Sequence, residues 1–411
     1  LDRSIKVMSM IPAVVLGGTL NALGVVRSLA AGGMRIFVVD KGRGCPAAWS
    51  RFARFVSLPG VSGHDLKKAL IDLSIRLGER PVLILTTDAD VNTVSAFRKE
   101  LEPFFRFSLP APEMVRTLFD KAQFQLLGER EGLPVPRSVI LNTPSDFLLI
   151  RTLAPPLAIK PADKSPLVCR LEDDRPARVE NWEQGIAVAA KMMAKTGSLV
   201  VQEWIEGDDS DIYFCFFVCP SEGKTSAMFS GRKLVCTRPA IGMTAICCAA
   251  PEMDAELKRL TQQFTERVRY KGIGGLEFKR DQRSGKLVIT EPTVGRTDWQ
   301  EEIATLCGVN IPLAAYSVET GVVFQESVRP RSPVMWRSSI VYRLRPGLGP
   351  PGARLRDGYF RLNDPLPGLY YYAIELLPLV IKKLFKLARA AGFGSVGKRP
   401  IPIGESSNVG G

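Results

Sequence analysis

Histidine is almost missing from this chain: His64 is the one example in 411 residues. A single imidazole excludes histidine-rich metal sites and leaves at most one histidine for a triad, so histidine-based triads are nearly excluded and the chemistry is expected to be run by carboxylates, lysines, arginines and bound ions. Cysteine is present but unpatterned. The 8 cysteines are scattered, only Cys247 and Cys248 are adjacent, and no Cys-x-x-Cys spacing repeats. That predicts buried, reduced thiols and a cytoplasmic protein instead of a disulfide frame or a zinc site. Continuous apolar runs of membrane-spanning length are lacking as well. The stretch Met10 to Ala31 is broken by Gly17, Gly18, Asn21 and Gly24, and reads as a strand and a helix instead of an export segment. Acidic residues run short in one region only: residues 329–411 hold fourteen Lys and Arg against four Asp and Glu, ten of the net +13 charges. The main body is close to neutral, so nucleic acid is not an expected partner.

What is present points to a folded protein with 45% hydrophobic residues and room for two or three domains. From Ala13 the pattern runs strand, helix, strand (AVVLGG, NALGVVRSLAAGG, RIFVVD), one βαβ unit with short connections. A helix from Ser62 to a stop at Gly78 and the strand PVLILTT complete a small doubly wound domain over residues 10–110. Apolar strands and helices continue over 111–325, including a helix from Asp254 to Gly272. The chain then shifts at residues 326–411 to a basic, Pro/Gly-rich tail that reads as a linker, with an amphipathic helix near 369–391 interrupted at Pro378. The fold class expected is α/β, passing to α+β after the first domain.

The most informative stretch is GLEFKRDQRSGKLVITEPTVGR. Arg283, Ser284 and Gly285 can form a three-residue hairpin loop with Gly285 left-handed, and the register this predicts pairs Gln282 with Lys286. Counting back places Glu277 opposite Glu291. Two carboxylates about 5 Å apart at an effective dielectric of about 20 repel by roughly 3 kcal/mol. Two readings stand: a divalent cation bridges them, or the register is off by one and Lys279 and Arg280 neutralise a solvated face. Elsewhere, Lys160 ends the apolar strand PLAIKP, Lys121 opens a helix, and QEWIEG is a strand turning into an acidic loop. The turn LGGTLNALG fits tight strand-to-helix packing better than a phosphate cradle, because its glycines lack the G-x-G-x-x-G spacing.

In this order the landmarks VVLGGTLNALGVVRSL, LTTDADV, LFDKAQFQLLGEREGLPVP, LAIKP, VVQEWIEGDDSDIY, SGRKL, GGLEFKRD and ITEPTVGRTDW resemble an ATP-grasp ligase of the carboxylate–amine type. The likeness covers roughly residues 12–320 and includes a preceding pre-ATP-grasp domain. It implies a two-lobed ATP-grasp domain with nucleotide between the lobes and a hinge near 202–207. It further implies ATP and magnesium, or manganese, as cofactors, with a small carboxylate and an amine as substrates. Residue by residue, it implies that Lys121 and Lys160 meet nucleotide phosphates, and that Gln202, Glu203, Trp204 and Ile205 form the adenine hinge. Asp208 or Asp211 would contact ribose. Arg232, Lys233 and Arg296 would act near the phosphates and acyl group, and Glu277, Glu291 and Thr293 would hold the metal. Asp298 or Glu301 would orient the amine. A homodimer is compatible with this reading.

Two departures from the family pattern bear on activity. Its Glu-x-Asn-x-Arg motif here reads Glu291-Pro292-Thr293, with Arg296 displaced, and its glycine-rich lid is replaced by ADKSPLVCR, where Lys164, Ser165 and Arg170 could serve. A catalytically weak ATP-binding scaffold is therefore one alternative. A nicotinamide-dependent oxidoreductase is another, though it leaves the paired lysines and the hairpin glutamates unexplained. The tail, with Glu375, Lys382 and Arg389 at seven-residue spacing and Lys386 on the same side, suggests peripheral contact with an anionic membrane at its inner face.

Overall fold

Four short apolar strands, β1 (Ala13–Leu16), β2 (Ile36–Asp40), β3 (Ala53–Ser57) and β4 (Val82–Leu85), pair in parallel in the order β3-β2-β1-β4. Every residue of β1 and β4 is buried, as the near-continuous Val and Leu runs of a covered parallel sheet require. Alternation sends Val14 and Leu16 into a core with Leu66, Leu70 and Leu73 of helix Gly63–Leu77. Ala13 and Val15 go the other way, into a core with helix Leu20–Ala31. Helices on both faces make this layer doubly wound. The computed structural model describes residues 10–60, 62–162, 177–239, 242–323 and 330–382.

The glycine turn after β1 is a packing device. A Cβ on Gly17 (φ +98°) would lie 2.3 Å from Thr86 Oγ1, and one on Gly18 would lie 2.1 Å from Cys45 Sγ. The seven cysteines among the described residues are free thiols.

A second sheet joins β5 (Ser138–Leu141), β6 (Leu157–Pro161), β7 (Ala177–Val179) and β8 (Leu199–Glu203) in the antiparallel order β5-β8-β6-β7. Leu157, Ile159, Leu199 and Val201 share a core with Ala189 and Met192 of helix Trp182–Thr196. Their alternate neighbours, Ala158, Lys160, Val200 and Gln202, therefore belong to the opposite face.

The third sheet has seven strands: β9 (Ile212–Cys219), β10 (Ala227–Cys236), β11 (Thr244–Ala249), β12 (Gly272–Arg280), β13 (Leu287–Val294), β14 (Val334–Arg337) and β15 (Arg354–Asp357). Their order is β13-β12-β9-β10-β11-β14-β15. The helix predicted to run from Asp254 to Gly272 ends at Arg267. Tyr270 N–H donates to Thr265 O, the chain turns through Arg269 at φ +50°, and Gly272 opens β12 instead. A Cβ there would meet Ser108 O at 2.2 Å, which keeps this position glycine.

The hairpin β12–β13 pairs Glu277 with Glu291, as predicted, but by a different route. Its loop is one residue longer than expected: Asp281 N–H donates to Lys286 O, so Asp281 and not Gln282 faces Lys286. The pairs Arg280–Leu287 and Phe278–Ile289 follow from that loop, and a bulge at Thr290 then restores Glu277 to Glu291. Gly285 is left-handed at φ +70°. Thr290 Oγ1 lies 3.2 Å from both the carbonyl oxygen and Oε1 of Glu277, which fixes the bulge.

Residues 330–382 depart most from expectation. The stretch read as a linker supplies β14 and β15, which extend the third sheet, and Trp336 is fully buried. Arg27 reaches across from the first sheet's helix. Its Nε donates to Asp364 Oδ2 at 3.0 Å, and its NH1 and NH2 donate to Gly358 O and Tyr359 O at 2.7 Å each. Glu302 closes the cluster, accepting from Arg361 at 2.8 Å and from Trp336 Nε1 at 3.1 Å. A helix then begins at Leu366, widens into a π-type stretch over Tyr371–Leu376, and continues through Pro378 to Lys382. The widened stretch lies just before Pro378, where the missing N–H would break a regular ladder, so the predicted interruption is a distortion and not an end. Lys386 and Arg389 lie outside the described residues, as do Lys164, Ser165 and Arg170. Among the described residues no helix is long and apolar enough to cross a membrane.

Candidate functional site

The second and third sheets face each other across a cleft of about 130 Å³ lined by Lys160, Gln202, Glu203, Trp204, Ile205, Glu277, Lys279 and Glu291, among others. β6 and β8 contribute their outward residues and β12 and β13 theirs, so one sheet supplies the lysine and the other the carboxylates. A small recess beside it brings Lys121 next to Lys160, Gln202, Thr290 and Glu291. Lys121 sits at the first turn of helix Lys121–Arg130, capped by Asp120, which accepts from Gln123 N–H at 2.8 Å. The Lys121 N–H also donates to Ala162 O at 3.0 Å, which ties the helix to the end of β6.

A second cavity of about 270 Å³ lies on the other side of the glutamates. Lys233, Glu277, Glu291, Thr293, Arg296, Asp298 and Gln300 line it with Phe214, Phe216 and Met243. Glu277, Glu291 and Gly242 line both spaces, so the two carboxylates are the side chains shared at the partition between them.

Lys233 Nζ lies 2.6 Å from Glu277 Oε2, with the lysine side chain only 4% exposed. Burial is the largest single influence and pulls the ammonium pKa down, but the charge and hydrogen bond of Glu277, with Cys236 and Asp298, together raise it by more, so the lysine is held firmly charged. This pair answers part of the electrostatic question posed by the sequence, because a protein cation already sits on one of the two carboxylates. The donor set on the partition is all oxygen, two carboxylates and the Thr293 hydroxyl, which suits magnesium or manganese over softer metals. Among the described residues no group of three or more His, Cys, Asp or Glu is placed to hold a metal alone. Such a set fits magnesium when phosphate oxygens and water complete the shell.

Arg296 also lines the second cavity. Its Nε donates to Asp88 Oδ1 at 2.6 Å, and its NH1 lies 3.7 Å from Asp298 Oδ1. Burial alone would lower its pKa; Asp88 and Asp298 raise it by more, so the guanidinium is a fixed positive charge.

Other expected residues are placed differently. Arg232 alternates with Lys233 on β10 and turns away from the cleft, with its NH1 3.2 Å from Glu252. Asp211 accepts from Asp208 N–H at 2.9 Å and from Gln282 at 2.7 Å, bracing the loop after the hinge, and neither aspartate lines the cleft. Glu203 N–H donates to Arg137 O and Trp204 N–H to Pro156 O, so these two amides brace the hinge. The Trp204 ring has Lys279 Nζ at 4.8 Å and Arg178 Cζ at 4.9 Å, a cation–π arrangement, and Pro136, Ala158, Ile205 and Ile212 supply the remaining apolar lining. Glu301 is fully buried against Ser28 and Gly24, where it cannot orient a substrate amine.

Sequence reasoning missed Lys279 as a lining residue, although it stands two positions from Glu277 on the same strand face. Burial lowers its pKa against the pull of Glu206 and Asp211. Alternation from Glu277 would have found it. Gln300, missed as well, carried no local signal.

No protein-family model matches the chain. A curated relative, the D-aspartate ligase of Enterococcus faecium (strain Aus0004), is 22% identical over 335 residues, covering 75% of this chain and 76% of that protein. Among solved structures, the biotin carboxylase–β,γ-ATP complex from Campylobacter jejuni superposes with a TM-score of 0.62 at 14% identity, covering 78% of this chain and 74% of the other. The ADP complex of N5-carboxyaminoimidazole ribonucleotide synthetase gives 0.60 at 13%, covering 79% and 81%. The chain has the ATP-grasp fold. A third ATP-grasp neighbour, the biotin carboxylase domain of Hydrogenobacter thermophilus 2-oxoglutarate carboxylase with MgADP, gives 0.59 at 17%, covering 77% and 71%.

Proposed function

We propose that this ATP-grasp protein is an ATP-dependent carboxylate–amine ligase that works through an acylphosphate. The observation that carries the reading is the partition: Glu277 and Glu291 border a narrow cleft on one side and a wider, charged cavity on the other. A nucleotide in the first and an acid in the second would meet at the carboxylates. The 10–110 and 111–325 segments would then act as pre-ATP-grasp and ATP-grasp domains.

In the proposed reaction an oxygen of the substrate carboxylate attacks the γ-phosphorus, the bond to the β-phosphate oxygen breaks, and ADP leaves. The amine then adds to the acylphosphate carbonyl, phosphate departs with the C–O bond's electron pair, and the amine's proton passes to solvent or to Asp298. Lys121 and Lys160 bind the phosphates and offset charge on the transferring group. The Ile205 amide, next along the braced hinge, reads the adenine edge. Arg296, held between Asp88 and Asp298, orients the acid. Magnesium on Glu277 and Glu291 would screen the phosphates and bring their oxygens into line. The relative's name makes D-aspartate the first substrate to test.

An ADP-release assay with ATP, magnesium and a panel of D- and L-amino acids against amines, with mass spectrometry of the product, tests this reading. Amide formation with stoichiometric ADP supports it. Thermal stabilisation by NAD(H) and not by ATP with magnesium would overturn it. The Lys233–Glu277 ion pair favours a second reading, an ATP-binding scaffold without turnover, which predicts nucleotide binding and no product with any substrate.

A further inference from the structure

The helix beginning at Leu366 carries an exposed apolar segment. Leu377, Leu379, Val380 and Ile381 are 51%, 64%, 39% and 42% exposed, and every residue from Leu377 to Lys382 is open to solvent. These residues cover about 9 Å of helix with apolar side chains all round. A helix apolar around its whole circumference is ordinarily buried, so this one calls for a non-aqueous neighbour.

The apolar surface does not stop at the helix. Ile340 and Val341 are 49% and 52% exposed, and the Ile340 N–H donates to Tyr372 Oη, which places them beside the helix. Leu366 and Leu369, near its start, are also about half exposed.

The charge around this surface has one sign. Residues 330–382 carry eight Lys and Arg against three Asp and Glu. Two of the acids are turned inward: Asp364 is fully buried on Arg27, and Asp357 accepts from Tyr372 and Arg337. The third, Glu375, is partly buried. Arg343, Arg345, Arg354, Arg356 and Lys382 are exposed. Exposed apolar side chains on a helix, in a segment whose exposed charges are cations, complement a lipid surface whose headgroups are anionic and whose interior is apolar. A second copy of the chain would bring a like-charged rim.

We propose that the helical segment 366–382 docks this protein onto an anionic lipid surface, with Leu377, Leu379, Val380 and Ile381 entering the acyl boundary and the neighbouring arginines and Lys382 meeting the headgroups. Among the described residues no helix is long and apolar enough to cross a bilayer, and the contact proposed is peripheral.

Co-sedimentation of the full chain with vesicles tests this. Vesicles of phosphatidylcholine alone, and of phosphatidylcholine with phosphatidylglycerol, are compared at low and high salt. The wild-type chain is expected to sediment with the phosphatidylglycerol vesicles and to lose binding as salt rises. A variant combining Leu377→Asp, Leu379→Asp, Val380→Asp and Ile381→Asp should bind at least about tenfold more weakly. Its melting curve should match wild type, because all four positions are solvent-exposed. Absence of wild-type binding, equal binding to both vesicle types, or undiminished binding by the variant each overturns the proposal. A wild-type dimer that the variant disrupts, with no vesicle binding, overturns it in favour of a second copy as the occupant.

Discussion

The third sheet has two edges, and they do different things. At one, β13 carries Glu291 and Thr293 into the partition of the cleft; at the other, β15 and the segment after it carry exposed arginines and fold back onto the first sheet through Arg27. Removing charge at the first edge should cost chemistry and little stability, since Glu291 sits on a partly open surface. The opposite holds at the second for Arg27, Asp364 and Glu302, which are buried and hydrogen-bonded, unlike the exposed arginines of β15.

The largest effect expected is on turnover. Glu291→Ala should lower ADP release at least about a thousandfold while moving the melting temperature by no more than about 2 °C. Turnover within tenfold of wild type would remove the carboxylate partition from the mechanism. At the other edge, Arg27→Ala leaves the fully buried Asp364 without its cation. Unfolding in urea should show a loss of about 3–5 kcal/mol. A loss below about 1 kcal/mol would mean that the 354–364 segment is held by packing alone.

A smaller effect separates active enzyme from scaffold. If Thr293 supplies a metal oxygen, Thr293→Ala should cut magnesium-dependent turnover about tenfold, and Thr293→Asn should retain or raise it. Identical rates in all three proteins would exclude the hydroxyl.

The smallest effect is a slope against pH. Burial raises the Glu301 carboxyl from 4.5 to about 8, outweighing its hydrogen bond from Ser28. Its folded pKa exceeds its unfolded one, so its contribution is fully present below about pH 4.5 and is lost as pH rises towards about 8. Glu301→Gln should flatten melting temperature against pH across that window and melt above wild type at pH 8. An unchanged slope would place the titration elsewhere.

The sequence made β1, β2 and β4 readable because those strands are buried on both faces and the turn after β1 needs glycine at Gly17 and Gly18; the partly exposed edge strand β3 lacks such an apolar run and was not read. The Lys121, Lys160 and QEWIEG grouping was readable too, since polar ends on apolar strands are conspicuous. Arg232 was misplaced because a dipeptide on a strand cannot have both side chains on one face. Residues 330–382 misled for another reason. Their prolines and glycines look like a linker, and the partners that order them, Arg27, Ser50 and Glu302, lie far away in sequence. The Glu277–Glu291 pairing came out right because the loop is one residue longer than read and the bulge at Thr290 compensates.

That bulge has a consequence in arithmetic. Before it, the odd-numbered residues of β13, Leu287 and Ile289, point into the core; after it, the even-numbered Pro292 and Val294 are the buried ones. One inserted residue therefore reverses the parity of the strand. Without it, regular alternation would turn Glu291 and Thr293 towards the core and bring Pro292 to the cleft. The same eight-residue strand can thus seal the interior near its tip and present a carboxylate to the cleft near its base, and Thr290 is where one duty passes to the other.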